Sequence, residues 1–194
     1  MKTNKLIKNF SYSVLANGTN TLISLILVLF VPKILGVKEY SYWQLYLFYA
    51  SYIGFFHFGW ADGVYLKFGG KKYEDLDKGY FHSQFWLLTI FEIVLCVIFG
   101  ILTVIFCEDE SRRIVLLAVA LCCVLQIPRT FLQYLLQTTN RIVDYAKNYL
   151  LEKIVYAILV VIALFLGVRS FEILVCADLF SRFLTLVLLS KECK

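Results

Sequence analysis

Six mostly apolar runs, at about 10–31, 40–66, 81–106, 114–138, 152–168 and 171–189, alternate along the chain with short charged segments. A helix rises about 1.5 Å per residue, so about 20 apolar residues cross a hydrocarbon core of roughly 30 Å. The pattern predicts an all-α membrane protein in which residues 1–194 form a single bundle of six transmembrane helices. Pro32 is expected to close the first helix, because proline cannot continue the hydrogen-bond ladder. Gly69-Gly70 and the charged loop from Lys71 to Lys78 end the second. In one unbroken helix Trp43 and Trp60 stand about 25 Å apart, close to the separation of the two membrane interfaces. Glu108 to Arg113 separates the third and fourth helices. A loop from Thr139 to Leu151, with Arg141, Asp144 and Lys147, precedes a fifth helix that is almost purely aliphatic past Tyr156 and reads as lipid-facing.

Composition agrees with the pattern. Hydrophobic residues make up 60% of the chain and charged residues 17%, against about 25% charged in a soluble domain. The net charge of +5 is scattered through short loops, which argues for membrane orientation and against nucleic-acid binding. With the amino terminus inside, the inner segments hold twelve basic residues: Lys2, Lys5, Lys8, Lys67, Lys71, Lys72, Lys78, Arg141, Lys147, Lys153, Lys191 and Lys194. The outer ones hold five: Lys33, Lys38, Arg112, Arg113 and Arg169. The positive-inside rule then places both termini in the cytoplasm. The first apolar run is too long for a signal-peptide core and reads as a retained helix. No C-x-x-C pair, P-loop, nucleophile elbow or H-E-x-x-H motif occurs, so no cofactor, metal or catalytic residue is expected. The six cysteines read as small packing residues.

Polar residues inside the runs are the candidates for function. Ser13, Asn17, Asn20 and Ser24 recur at helical spacing and share a face of the first helix. That face either packs on a neighbour or lines a water-filled cavity. Gln126, Arg129, Gln133 and Gln137 form a stripe on the fourth helix, which Pro128 should bend. Asp62, Glu92, Arg129, Asp178 and Arg182 are ionisable groups in or near the hydrocarbon, where each must face protein or water. Asp178 and Arg182 stand at i and i+4, so an ion pair on their own helix is expected. Arg129 has no acidic partner at that spacing. It is expected either to pair with Glu92 or Asp178 across the bundle or to stay free to meet an anion. Asp62 reads as structural, paired with Lys67 or another loop cation. His57 is a packed core residue or a proton-linked switch. Candidate ion-coupling residues are therefore His57, Glu92 and Asp178.

One stretch also carries a resemblance. Val31-Pro32-Lys33-Ile34-Leu35-Gly36, then Glu39-Tyr40, Tyr42-Trp43-Gln44-Leu45-Tyr46 and Phe55-Phe56-His57-Phe58-Gly59-Trp60, resembles the amino-terminal part of the polysaccharide (O-antigen and capsule) flippases. These belong to a superfamily with the lipid II flippases and the multidrug and toxin extrusion transporters. The likeness covers about the first 75 residues. It implies a non-enzymatic transporter of the inner (cytoplasmic) membrane. Its substrate would be a polyprenyl-diphosphate-linked oligosaccharide for surface polysaccharide assembly. On physical grounds Arg129 and Arg182 are candidates for the diphosphate, and Gln126, Gln133, Asn17 and Asn20 for the sugar path. Such flippases have about twelve to fourteen helices in two lobes. Six helices therefore suggest a truncated or half-size member that needs a carboxy-terminal lobe or a homodimer. A non-transporting membrane assembly subunit and an integral-membrane transferase on lipid-linked sugars are the alternatives.

Overall fold

The computed structural model describes residues 2–193, with side chains from Phe10 onward. Among them there is no strand. The helices are α1 (Lys2–Ile34), α2 (Val37–Ser51), α3 (Trp60–Phe68), α4 (Lys78–Phe106), α5 (Glu110–Thr138), α6 (Ile142–Phe165) and α7 (Phe171–Glu192). Five are long and apolar enough to cross a membrane: α1 from Phe10, α4, α5, α6 and α7.

α5 is the hub. It packs against α2, α3, α4, α6 and α7, while α1 lies at the edge against α6 and, more lightly, α2. Its composition explains the position. Ala120, Cys122, Cys123, Arg129, Gln133 and Thr138 are all buried on it, and small and polar side chains are what let helices associate where lipid is as apolar as leucine. α4 is the converse. It is the most apolar helix, yet of its 29 residues only Phe81, Leu88, Glu92 and Thr103 are buried, so its other faces are free to meet acyl chains. Asp77 and Asp109 cap α4 and α5 by accepting the backbone N–H groups of Tyr80 and Arg112. The Arg112 N–H is the main reason the Asp109 carboxyl is held below the usual carboxylate range.

Three sequence expectations need correction. α1 does not close at Pro32 but runs on to Ile34. Proline at this point removes the bond to the Val28 carbonyl and crowds it, but the helix has only two residues left to run. The fifth predicted helix begins at Ile142 rather than at 152. Most of the residues read as a loop, 142–151, form nearly three turns of α6, in which Asn148 and Tyr149 have partners on neighbouring helices. For the same reason α6 is not simply lipid-facing: Asn148, Glu152, Tyr156 and Val160 are buried along one face.

The third correction concerns the stretch 40–66, which is not one helix. α2 stops at Ser51, a 3-10 turn runs from Ile53 to His57, and α3 starts at Trp60. Phe58 (φ 47°) and Gly59 (φ 76°) between them are both left-handed. Gly54 and Gly59 flank four consecutive ring-bearing residues, and both glycine and aromatic side chains weaken a helix. The two tryptophans accordingly do not lie on one continuous helix. Trp43 is buried and donates Nε1–H to the Tyr156 hydroxyl at 3.1 Å. Trp60 donates to Gln84 Oε1 at 2.9 Å.

Gly59→Ala is expected to lower stability by about 1–2 kcal/mol, because a Cβ is strained in the left-handed region. Gly18→Ala, in regular helix with open space around the added carbon, is expected to leave stability unchanged or slightly higher. Thermal unfolding of the two variants in detergent checks the contrast.

Candidate functional site: a buried ion-pair network

The densest polar cluster lies where α2, α5, α6 and α7 meet. Asp178 on α7 is buried, and its Oδ2 accepts from the Tyr46 hydroxyl of α2 at 2.6 Å. The same oxygen accepts from Arg182 Nε at 2.6 Å, one turn along α7. Arg182 also donates to Gln126 Oε1 on α5 at 2.6 Å, and Arg129 donates to that same oxygen at 3.1 Å. A single side-chain carbonyl thus bridges two guanidinium groups. The second guanidinium, Arg129, forms an ion pair with Glu152 of α6. Lys153 Nζ stands 3.6 Å from the other Glu152 oxygen.

One turn along α5, Gln133 donates to Asn148 Oδ1 at 3.2 Å, and Asn148 donates to the Thr185 carbonyl of α7 at 3.0 Å. The Trp43–Tyr156 bond closes the cluster on the α2 side. These contacts join α2, α5, α6 and α7 through their polar side chains. Each side chain would cost several kcal/mol if left without a partner at this depth.

The charges do not cancel. Arg129, Lys153 and Arg182 face Glu152 and Asp178, leaving one positive charge in excess. Arg129 Nε also has no hydrogen-bond partner among the described residues. Chemically, such a site can hold an anionic group between helices or serve as a structural staple. Among the described residues no group of three or more His, Cys, Asp or Glu is placed to hold a metal ion.

The structure brings four predicted residues, Gln126, Arg129, Asp178 and Arg182, into this cluster and puts Gln133 beside it. The expected Asp178–Arg182 pair is present. The expectation for Arg129 is corrected: its partner is neither Glu92 nor Asp178, nor is it free, because Glu152 on α6 meets it.

The proposed shared face of α1 divides. Asn20 turns inward and donates to the Tyr149 hydroxyl at 2.8 Å. Asn17 stays exposed and bonds the Ser13 carbonyl of its own helix. Glu92 lies apart, fully buried between α4 and α5, with one oxygen accepting from the Cys123 thiol at 3.3 Å.

His57 is also apart. Its Nδ1 accepts the Gly59 N–H at 3.1 Å and lies 3.8 Å from an Asp62 oxygen. Asp62 is therefore in the first turn of α3, not at a helix end beside Lys67. The Lys67 ammonium instead sits over the Phe68 and Tyr80 rings. Sequence reasoning missed Tyr46, Asn148, Glu152 and Lys153. Tyr145, Asn148, Glu152 and Tyr156 recur at helical spacing, and that recurrence was the available signal.

No protein family, curated protein or solved structure matches the chain. Fold and geometry define a helical protein with several membrane-length helices and a cation-rich polar core.

Glu152→Gln is expected to destabilise the fold by about 3–5 kcal/mol, since it leaves the Arg129 guanidinium buried and uncompensated. Replacing both partners with methionine should recover most of that loss. Denaturant unfolding of the two single variants and the double variant, read as a double-mutant cycle, measures the coupling.

Proposed function

We infer that the chain is a membrane transporter. In this reading it is a lobe that moves polyprenyl-diphosphate-linked oligosaccharide across the cytoplasmic membrane for surface polysaccharide biosynthesis. One observation carries the reading: the polar cluster between α5, α6 and α7 has one more cation than carboxylates, the third cation being the partly exposed Lys153. A diphosphate crossing a membrane needs such a partner, because its charge is otherwise exposed to hydrocarbon. The resemblance of residues 31–60 to polysaccharide flippases supports the same conclusion.

In this reading α2, the 3-10 turn and α3 together make a sixth crossing. Their span, 37–68, is longer than the about 20 residues required. The number of crossings is then even and both termini share a side. Lys147 and Lys153 fall within α6, so the inner basic residues number ten instead of twelve, still against five outside. By the positive-inside rule this excess supports placing both termini in the cytoplasm. A second lobe, whether another chain or a second copy, would face this one across the substrate path.

The second reading, a non-transporting membrane assembly subunit, is favoured by the Arg129–Glu152 pair. A guanidinium already held by a carboxylate serves as a staple. Lys153→Met separates the two readings because it removes the excess charge and leaves both close ion pairs in place. A charge-assisted hydrogen bond contributes about 1.5–3 kcal/mol, so loss of one from the transported diphosphate should slow flipping about tenfold or more. Lys153→Arg should retain it. The measurement is translocation of a fluorescent polyprenyl-diphosphate sugar in proteoliposomes, with unfolding temperature as the control for folding. Wild-type flipping by Lys153→Met would remove the charge argument, and no flipping by the wild-type chain, alone or paired, would favour the assembly subunit.

A further inference from the structure

A groove of about 770 Å³ opens beside α5, on a face about 100° around that helix from the ion-pair network. Its walls are Phe85 and Trp86 of α4, Leu125 and Leu132 of α5, and Phe183 and Leu186 of α7. Three independent walls give it the same depth. It runs along α4 from Lys78 to Thr89, along α5 from Leu135 back to Val124, and along α7 from Cys193 back to Phe183. Each path covers eleven or twelve residues, a rise of about 16 Å, which is half of a hydrocarbon core of roughly 30 Å.

The depth argues against a helix as occupant, because a spanning helix needs the full thickness. It matches one leaflet, which is the reach of a lipid tail. The rim supplies the other half of the argument. Lys78 and His82 line the mouth, and the lining includes no acidic residue. Neighbouring Asp77 turns one oxygen to the Tyr80 N–H as the cap of α4. Beside the mouth, Tyr73 and Cys193 are half-buried, and burial pushes the Cys193 thiol up to about 11.

We propose that this groove is a lipid site, holding an acyl chain of an anionic phospholipid from the leaflet in which α4 begins, with the headgroup at Lys78 and His82. The proposal does not depend on the transport reading. It assigns a resident lipid to the groove face of α5, whatever passes at the ion-pair network.

Trp86 reports on the site directly. The chain is reconstituted in phosphatidylcholine bilayers containing one tenth of a lipid brominated in mid-chain, either phosphatidylglycerol or phosphatidylcholine. The Trp86 signal is obtained as the difference between the native chain and Trp86→Phe. Each basic residue near the surface contributes about fivefold in preference for an anionic lipid. Brominated phosphatidylglycerol is therefore expected to quench Trp86 well beyond its mole fraction, and brominated phosphatidylcholine only in proportion. Lys78→Gln with His82→Gln, both exposed positions, should abolish the difference without changing the unfolding temperature. Equal quenching by the two lipids, or a preference that survives the rim substitutions, would overturn the proposal. So would a Trp86 that neither lipid quenches, which would mean that protein, such as a second copy, fills the groove.

Discussion

The structure depends on one constraint: polar side chains at membrane depth must satisfy one another. Asp178 meets this by accepting from Tyr46 and Arg182 at once. Gln126 meets it by accepting from two arginines. Neither arrangement survives a large shift of one helix, because the partners come from α2, α5 and α7. Apolar packing alone would leave the helices of such a lobe free to slide, since lipid tails compete equally for leucine and phenylalanine. The polar contacts therefore set the register of the bundle, and the aliphatic surface of α4 and α6 only sets its depth in the bilayer.

The hub role of α5 follows from the same constraint. Two stripes run along it one residue out of phase: Leu125, Pro128 and Leu132 on one, Gln126, Arg129 and Gln133 on the other. Successive residues are about 100° apart around a helix. The first stripe therefore faces the groove beside α4 and the second faces α6 and α7. Pro128 is buried between them without an N–H to give, in a helix that continues through it. The loss of that hydrogen bond is tolerated because tertiary contacts hold both halves of the helix.

How much was legible follows from which interactions are local. Apolar length located five long helices, because bilayer thickness is a one-dimensional requirement that a sequence window can test. The Asp178–Arg182 pair was readable because both members sit on one helix at i and i+4. The partner of Arg129 was not, because it belongs to a helix whose face is fixed only by packing. Residues 142–151 were read as a loop for a related reason: hydropathy counts a polar residue as exposed, whereas Asn148 is buried and bonded on both sides. The break at Phe58-Gly59 was hidden by apolar composition. Hydropathy carries no information on backbone handedness, and only the glycines at 54 and 59 hinted at it.

The break also divides how the stretch 37–68 is held. A rigid α2 from 37 to 68 would tie Trp43 and Tyr46, in the polar core, directly to Asp62 and the loop beyond Phe68. The two left-handed residues instead divide the stretch, so that α2 is anchored through Tyr46 to α7, while α3 packs on α5. The 3-10 turn between them also packs on α5, and its last residue, His57, braces the turn by accepting the Gly59 N–H. Both α2 and α3 rest on α5, so the break divides their polar attachments without detaching either from the hub.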